Sequence, residues 1–294
     1  MPVVAYLIMT HEDPEHLRRL VDALETEESL FIIHINKIVD ITPFHTAVSR
    51  PNLYFVENRV KLYWGGWNFV RVFVEMLKFA KGLGLPIEYM TILSGNSFPV
   101  QPVAKIHSAL SEFAYINLVD VPSPGKPLKR FTRYYWQGSY RNQGTLRRLR
   151  GALLRRISKL TWRDPNRYLG DWKLYGGTAW CTLSAEAVET ILRYADDRNL
   201  TRFFRHAAIP DEAFFHTILG NVHRDRCVPA NLYQDWSDPV ERPCHIRHDH
   251  LPYLLSDGAT TIGSYGKVPI YFARKFSSRN ADVVSIVEKH LQKL

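Results

Sequence analysis

Residues 3–9 read Val-Val-Ala-Tyr-Leu-Ile-Met, a continuous apolar run with the length of one strand. A strand that is apolar on both faces is typical of the interior of a parallel sheet. A helix is predicted next, because Asp13 can cap it, Pro14 suits its first position and apolar residues recur at helical spacing over residues 17–24. Strand and helix patterns continue to alternate over residues 30–35, 53–56, 68–83 and 89–93. The alternation predicts an α/β fold, a mostly parallel sheet flanked by helices that binds ligands beyond the carboxyl ends of its strands.

The net charge of +9 comes from one segment of the chain. Between Lys126 and Arg167 there are thirteen Lys and Arg residues and one acid, Asp164, whereas the rest of the chain has 25 basic and 28 acidic residues. This distribution disfavours a general nucleic-acid-binding coat and favours a local site for an anionic substrate or an anionic lipid. We predict one domain over residues 1–294, with a basic inserted region at about 122–170.

A basic amphipathic helix is predicted within that region, over residues 145–160. Its apolar positions are Leu146, Leu149, Leu153, Ile157 and Leu160. Such a helix can lie on an anionic membrane surface, or it can be a solvated helix whose basic face contacts nothing. Both interpretations remain open from the sequence.

The composition is that of an ordinary globular protein, with 294 residues of which 46% are hydrophobic. No apolar run approaches the roughly 20 residues that cross a bilayer, and no basic stretch precedes the first strand as in a signal peptide. Three cysteines at wide spacing, Cys181, Cys227 and Cys244, indicate free thiols and a reducing compartment. We therefore expect a cytoplasmic protein.

One candidate catalytic residue is Glu212, in the stretch Pro210-Asp211-Glu212. Proline and aspartate predict the start of a helix, with Glu212 in its first turn. A carboxylate at a fixed position is what a general base requires. The alternative is a glutamate that only complements the helix dipole.

A second candidate is the pair Arg274 and Lys275, which lies between aromatic residues in the stretch 271–276. An arginine fork and a lysine point charge can together hold a diphosphate. The alternative is that both are exposed positions at the end of a strand.

A metal site is conceivable at residues 245–250, which contain three histidines and one aspartate. No HExxH or CxxC pattern supports such a site, and the neighbouring cations would repel a divalent ion. The chain has no Asp-x-Asp, the pair with which many nucleotide-sugar enzymes hold a divalent ion, and no GxGxxG, GxxxxGK[ST] or GxSxG motif. We predict neither a bound metal nor a cofactor.

Taken in order, several short motifs resemble those of the core-2/I-branching glycosyltransferases, a family that includes β-1,6-N-acetylglucosaminyltransferases and peptide O-xylosyltransferases. The matching stretches span nearly the whole chain and are Met9-Thr10-His11, His34-Ile35-Asn36-Lys37, Trp64-Gly65-Gly66, Leu93-Ser94-Gly95-Asn96-Ser97-Phe98-Pro99, Gly177-Thr178-Ala179-Trp180, Pro210-Asp211-Glu212 and Ala273-Arg274-Lys275-Phe276. This chain departs from the family pattern at Asn36 and Ser97, each of which replaces an aspartate. The resemblance implies a GT-A-like fold, inversion at the anomeric carbon and catalysis without a metal.

The resemblance also assigns roles to single residues. Glu212 would be the catalytic base, and Lys275 with Arg242 and Arg274 would hold the diphosphate. The nucleoside would be bound by Met9, Thr10, His11, Asn36 and Trp64. The acceptor substrate would be bound by Lys126, Lys129, Tyr233 and Asp235.

The function implied is transfer of N-acetylglucosamine from a UDP-sugar to a hydroxyl of a glycan or glycolipid. One alternative is a UDP-xylose-dependent O-xylosyltransferase, and another is a non-catalytic membrane-binding or glycan-binding protein of the same fold. The anchor, stem and many cysteines of animal members are absent from this sequence, so we expect a bacterial, cytoplasmic protein. It would contact the inner membrane face peripherally and would not bind nucleic acid.

Overall fold

A computed structural model describes residues 3–123, 126–136, 145–238 and 240–293. Of the predicted positions, Pro124, Gly125 and Arg141 lie outside these residues, as do the side chains of Leu146, Arg147 and Arg148. The strands are β1 Val3–Thr10, β2 Ser29–Ile35, β3 Leu53–Phe55, β4 Ile87–Ser94, β5 Ser97–Pro99, β6 Ala114–Tyr115, β7 Val119–Asp120, β8 Tyr175–Gly176, β9 Thr182–Ser184, β10 Cys227–Val228, β11 Leu232–Gln234, β12 Thr260–Gly263, β13 Gly266–Pro269 and β14 Phe272–Arg274.

The helices connect these strands and cover the sheet. They are α1 Pro14–Leu24, α2 Thr42–Ala47, α3 Asn68–Gly82, α4 Val103–Ala109, α5 Lys129–Thr132, α6 Thr145–Leu160, α7 Asn166–Leu169, α8 Ala185–Ala195, α9 Arg198–Phe204, α10 Phe214–Val222, α11 Leu251–Leu254 and α12 Ala281–Leu291. None of the helices in the described ranges is both long and apolar enough to cross a membrane.

The main sheet has the strand order β10-β6-β9-β4-β1-β2-β3. Strands β4, β1, β2 and β3 are parallel to one another, and β9 is antiparallel to both of its neighbours. Side chains of β1 alternate between the two hydrophobic cores, with α3, α8 and α10 on one face of the sheet and α1 and α12 on the other. This arrangement confirms the predicted α/β fold with a mostly parallel sheet between layers of helices.

The predicted start of helix α1 is also confirmed. The Asp13 side chain accepts a hydrogen bond from the His16 amide at 3.1 Å, and Pro14 is the first residue of α1. Ser184 caps α8 in the same way, by accepting from the Ala187 amide at 3.2 Å. Each cap satisfies a backbone donor that the helix itself leaves unpaired.

A second, smaller sheet has the strand order β11-β14-β5. Strand β14 pairs in parallel with β11 and antiparallel with β5, so residues 272–274 form a central strand and not a free strand end. Phe272 and Ala273 are buried as a result, while Arg274, at the end of the strand, is partly buried.

The basic region contains helices α5, α6 and α7, and α6 has the predicted bounds. Its C-terminal end is held by Arg163, a buried cation that donates to the carbonyl oxygens of Phe131 and Phe203, each at 2.8 Å. The guanidinium also lies 4.4 Å from the ring centre of Phe203. Burial lowers the Arg163 pKa to about 10, so the group remains a cation at neutral pH. These contacts fix the end of α6 to the loop that carries α5.

Candidate active site

The carboxyl ends of β1, β2 and β4 meet at one edge of the sheet, and predicted nucleoside-binding residues lie there. The Asn36 amide donates to the Thr10 carbonyl at 2.9 Å, and the Gly95 amide donates to the Met9 carbonyl at 2.8 Å. A Cβ atom at Gly95 would lie 2.2 Å from Thr10 Oγ1, so only glycine permits this approach. His11 follows at the surface, where its side chain is exposed.

Asn36 is buried, and its side-chain amide binds the backbone of the neighbouring loop. It donates to the Leu62 carbonyl and accepts from the Leu62 amide, each at 3.0 Å. An aspartate carboxylate has no donor for that carbonyl. The Asn36 side chain therefore holds the loop that leads to Trp64, whose side chain is nearly half exposed.

Glu212 lies in a 3-10 turn, Pro210–Glu212, and not in the first turn of an α-helix. Helix α10 begins only at Phe214, because Ala213, with φ -147° and ψ -27°, has backbone angles outside the helical region and separates the turn from the helix. Ile209, before the turn, has a φ of 53°, in the left-handed region. The predicted position of Glu212 in the α-helix was therefore wrong.

The Glu212 carboxylate is paired with two cations at the same oxygen. Its Oε2 atom accepts from Lys126 Nζ at 2.5 Å and from Arg130 Nη1 at 3.0 Å. The Glu212 side chain retains 25% of its exposure, so substrate can reach it. Sequence reasoning selected Lys126 and Lys129, but the second contact comes from Arg130, whereas Lys129 is exposed on α5. Within a run of thirteen basic residues, spacing alone does not single out Arg130.

A pair of glycines lets the backbone approach Glu212. The Gly177 amide donates to the Glu212 carbonyl at 2.9 Å, and Lys126 Nζ donates to the Gly177 carbonyl at 2.8 Å. A Cβ atom at Gly177 would lie 2.0 Å from the Asn117 carbonyl oxygen, and one at Gly176 would lie 3.2 Å from the Glu212 carbonyl oxygen. The backbone of Glu212 and the ammonium that binds its carboxylate are thus fixed by the same segment.

Asp211, beside Glu212, is in a different environment. Burial, and then the adjacent Glu212 charge, raise the pKa of its carboxyl to about 7. Its Oδ1 atom is buried and forms no hydrogen bond with any residue in the described ranges. The Glu212 carboxylate is therefore bound by two cations, whereas Asp211 Oδ1 has no hydrogen-bonding partner among the described residues.

The Asp211 environment predicts a pH-dependent effect of Asp211→Asn. The folded pKa is about 7 and the ordinary value is 3.8, so between these pH values the folded protein binds a proton that the unfolded chain has released. The free energy of unfolding therefore falls as pH rises through this window, and an asparagine abolishes that contribution. We expect Asp211→Asn to gain about 1–3 kcal/mol over the native protein at pH 8 and almost nothing at pH 4, measured by urea unfolding. The exposed Asp225→Asn is the control, and an equal gain at both pH values would contradict the assignment.

The predicted diphosphate-binding cations lie at the small sheet. Arg274 Nε donates to Asn96 Oδ1 at 3.1 Å, and its guanidinium stacks 4.9 Å from the Trp180 ring centre. Burial lowers the Arg274 pKa to about 10, which leaves the group charged at neutral pH. Lys275 Nζ is 3.8 Å from Glu241 Oε1. Arg242, the next residue after Glu241, is exposed on the same loop.

Residues 177–180 connect the Glu212 turn with the diphosphate-binding candidates. Gly177, at the start of this segment, bonds the Glu212 backbone, and Trp180, at its end, stacks against Arg274. Glu212 and the Arg274 guanidinium therefore contact opposite ends of the segment 177–180. Sequence reasoning placed Trp180 in a motif but did not identify its contact with Arg274.

Tyr233 and Asp235 lie on and just after β11. The Asp235 Oδ2 atom accepts from Cys244 Sγ at 2.7 Å and from His250 Nε2 at 3.0 Å, and these bonds hold the Asp235 pKa well below its usual range. The Tyr233 ring packs edge-on against His250. The Asp235 Oδ2 atom, predicted from the sequence to bind acceptor, is thus hydrogen-bonded to Cys244 and His250 of the same chain.

The three histidines of residues 245–250 do not converge on one point. His245 pairs with Glu241 at 2.7 Å and His248 with Asp282 at 2.7 Å, while His250 faces Asp235. In the described part of the chain, Asp235, Cys244 and His250 bring three possible metal ligands within 4.8 Å of one another. Their hydrogen bonds to the shared carboxylate oxygen already satisfy these donors. All three cysteines are free thiols, as predicted.

A family model described as Core-2/I-Branching enzyme matches residues 4–255. The chain belongs to this family. Human xylosyltransferase 2 is 25% identical over 312 residues, covering 98% of this chain and 33% of the human protein. The rat β-1,3-galactosyl-O-glycosyl-glycoprotein β-1,6-N-acetylglucosaminyltransferase 3 is 24% identical over 222 residues, covering 73% of this chain and 46% of the rat enzyme. This Core-2/I-branching family member thus spans about a third of the length of the xylosyltransferases that it matches.

Among solved structures, the galactosyltransferase LgtC in complex with donor and acceptor sugar analogues matches 98% of this chain and 96% of its own. The two chains are 9% identical, with a TM-score of 0.45.

Proposed function

We propose that this protein is a metal-independent, inverting glycosyltransferase that transfers N-acetylglucosamine from UDP-N-acetylglucosamine to a hydroxyl group of a glycan or glycolipid. The observation that carries the proposal is the accessible Glu212 carboxylate, fixed by two cations and joined through residues 177–180 to Arg274. Family membership supports the reaction class, because relatives named as a xylosyltransferase and an N-acetylglucosaminyltransferase match 98% and 73% of this chain.

Glu212 acts as the general base in this proposal. It removes the proton from the acceptor hydroxyl while that oxygen attacks the anomeric carbon from the face opposite the diphosphate. The new glycosidic bond forms as the bond between the anomeric carbon and the diphosphate breaks, and UDP leaves. Lys126 and Arg130 both bind Oε2, so we assign Oε1 as the oxygen that takes the proton.

The cations Arg242, Arg274 and Lys275 stabilise the leaving group. Negative charge grows on the diphosphate as its bond to the sugar breaks, and fixed positive side chains stabilise that charge most in the transition state. In other transferases a divalent ion supplies this stabilisation. Met9, Thr10, His11, Asn36 and Trp64 are proposed to surround the nucleoside at the carboxyl edge of the sheet.

The donor panel is the direct test. We expect purified protein to release UDP fastest from UDP-N-acetylglucosamine among common nucleotide sugars, at a rate that 5–10 mM EDTA leaves within roughly twofold. Product NMR should show a β linkage formed from the α donor. Loss of activity in EDTA would contradict metal independence, and an α linkage would contradict inversion.

Xylose is the alternative donor, favoured by the several xylosyltransferases among the relatives. The same panel separates the two, because fastest release from UDP-xylose would select the alternative. If no nucleotide sugar is turned over, the non-catalytic alternative is favoured.

We also propose that helix α6 holds this protein at an anionic membrane surface, at the inner membrane face if the protein is cytoplasmic. The described side chains of its predicted apolar stripe face outward: Leu149, Leu153 and Leu160 are 65%, 59% and 88% exposed, and Trp162 beyond the helix is 73% exposed. An outward apolar face with an indole at its end is the pattern of a helix that lies in a membrane interface.

The charge beside the stripe specifies the kind of membrane. Arg150, Arg155, Arg156 and Lys159 occupy exposed positions around the apolar face. Each Lys or Arg near an anionic surface contributes about 1 kcal/mol to binding. Anionic lipid therefore complements this face, while zwitterionic lipid lacks the charge.

Substitution of Leu153 and Ile157 by Gln tests the membrane proposal. We expect the native protein to co-sediment with phosphatidylglycerol vesicles and not with phosphatidylcholine vesicles, and the double substitution to weaken binding at least tenfold, because each side chain leaves the interface. Leu85→Gln, at an exposed position outside α6, is the control. Unchanged binding of the double variant would contradict a role for the stripe.

A further inference from the structure

A cavity of about 450 Å³ lies between α3 and the segments that follow α5 and α9. It is lined by Trp67, Asn68, Arg71, Trp136, Arg205 and His206. A second cavity of about 530 Å³ shares four of these residues and extends it along α3 toward Asp196. Neither cavity includes Glu212, Lys275 or any residue predicted from the sequence to bind substrate.

The smaller cavity is positively charged. Among the described residues, no carboxylate lines it, and neither Arg71 nor Arg205 forms an ion pair. The acids of the larger cavity, Glu75 and Asp196, face Lys78 at 4.0 Å and 3.2 Å. Two guanidinium groups are thus available to an anion that enters the smaller cavity, and an arginine fork matches a carboxylate or a phosphate.

His206 adds a neutral hydrogen-bonding group to the lining. Its Nδ1 atom donates to the Tyr135 carbonyl at 3.2 Å, which leaves Nε2 as an acceptor. Burial lowers the His206 pKa, so the ring is neutral at physiological pH. The Asn68 side chain is held by the protein, because its Nδ2 donates to the Lys61 carbonyl at 3.0 Å and its Oδ1 accepts from Arg71 Nη1 at 3.5 Å. The acceptor nitrogen of His206 suits a hydroxyl group, which a sugar offers and a simple inorganic anion lacks.

Two indole rings complete the lining, and both are held by other aromatic residues. Trp67 packs edge-on against Phe214 with ring centres 5.4 Å apart, and Trp136 stacks on Tyr134 at 6.4 Å. Flat apolar rings provide packing surface for the C–H face of a sugar ring, while arginines bind its acidic substituent. The lining therefore fits an acidic sugar better than a metal ion or a purely apolar ligand.

The cavity is connected to Glu212 by short backbone paths. Phe214, which holds Trp67, is two residues from Glu212. On the other side the Tyr135 amide donates to the His206 carbonyl at 2.8 Å, and the Ala208 amide donates to the carbonyl of Arg130, the residue that pairs with Glu212. Tyr135 is five positions after Arg130, a span of at most roughly 17 Å. A short oligosaccharide can bridge such a span.

We infer that this cavity is a subsite for an acidic sugar residue, one bearing a carboxylate or a phosphate, in an acceptor glycan whose reacting hydroxyl is at Glu212. The inference rests on the proposed function for the identity of the ligand as an acceptor, while the binding of an acidic saccharide stands on the cavity itself. Acidic acceptors are then preferred over neutral ones through Arg71 and Arg205.

The test compares matched pairs of probes that differ in charge. Hyaluronan tetrasaccharide is paired with chitotetraose and mannose 6-phosphate with mannose, and binding is measured by calorimetry and tryptophan fluorescence. We expect at least one acidic probe to bind ten times more tightly than its neutral partner. The variants Arg71→Gln and Arg205→Gln should each lose at least that factor, whereas Arg193→Gln, at an exposed position of α8 outside the cavity, should not.

Three results would overturn the inference. They are equal binding of acidic and neutral probes, no binding of any of the four, and native affinity in both cavity variants. A change in tryptophan fluorescence on adding phosphatidylglycerol vesicles that is lost in Arg71→Gln and Arg205→Gln, together with no saccharide binding, would assign the cavity to lipid and would also overturn it. Thermal unfolding of each variant establishes that the chain is folded.

Release of UDP from the donor in the absence of acceptor separates this inference from the proposed function. That rate should be the same in the native protein and in the Arg71 and Arg205 variants. If no nucleotide sugar is turned over but charge-selective saccharide binding depends on these arginines, the transferase proposal fails and the binding site remains. If turnover is present and saccharide binding is not, only the subsite is wrong.

Discussion

Glu212→Gln lowers the rate of sugar transfer by about 10²–10⁴-fold, the range expected when a general base is removed. Glutamine has the same shape but no free carboxylate oxygen to take the proton from the acceptor hydroxyl. The measurement is the transfer rate at saturating donor and acceptor, with UDP affinity determined in parallel by calorimetry. UDP affinity should be unchanged, because the cations proposed to hold the diphosphate belong to other elements.

Glu88→Gln, at an exposed position of β4, is the matched control and should retain native activity. Thermal unfolding must accompany the Glu212 variant, because the substitution leaves Lys126 and Arg130 without their carboxylate. A folded Glu212→Gln protein with more than a tenth of the native rate would exclude Glu212 as the base. Asp211, whose carboxyl is buried beside it, would then be the next residue to substitute.

Lys275→Ala lowers the transfer rate by about 10²–10³-fold, comparable with the loss of one donor that stabilises a developing oxyanion. The effect arises because the ammonium opposes charge that grows on the diphosphate in the transition state. Lys275→Arg should recover part of the rate, since it restores the charge with a different shape. The transfer rate at saturating donor is the readout.

Lys267→Ala, on the exposed strand β13, controls for loss of a positive charge elsewhere. The salt dependence gives a second readout, because a general electrostatic effect would respond equally in both variants. Equal activity of Lys275→Ala and Lys267→Ala would remove Lys275 from the proposed diphosphate site.

Much of the central sheet was predictable because its strands are buried on both faces. Residues 3–9 form a continuous apolar run and residues 30–35 are apolar except for His34, a pattern typical of strands in the interior of a parallel sheet. Helices α1 and α8 were predictable from their caps, since Asp13 and Ser184 act within three residues of their own position. Such caps join residues that are close together in sequence, so they can be recognised without knowledge of the tertiary structure.

Other features depend on residues far apart in sequence and were missed. Strand β14 is a central strand only because β5 and β11, at residues 97–99 and 232–234, pair with it. Arg130 contacts Glu212 across 82 residues, and no spacing rule connects the two positions. The turn at Glu212 was misassigned because Ala213 interrupts an otherwise helical pattern with backbone angles that its side chain does not encode.

The candidate site was predicted only in part, because its contacts also join residues that are far apart in sequence. Motif resemblance selected Glu212, Lys126 and Lys275 one by one, but it did not give their partners. The cavity residues Arg71 and Arg205 come from α3 and the end of α9, 134 positions apart, and neither stands in a recognisable motif.

The buried guanidinium of Arg163 has a consequence for how the protein would sit on a bilayer. Its bonds to the carbonyls of Phe131 and Phe203 attach the C-terminal end of α6 to α5 and α9 of the domain. Binding of α6 to a membrane would then give the whole domain a single orientation. The Glu212 carboxylate would stay at a constant distance from the lipid surface. Acceptor glycans whose reacting hydroxyl lies at that distance from the membrane would be used best, so α6 would select acceptors by length in addition to binding the membrane.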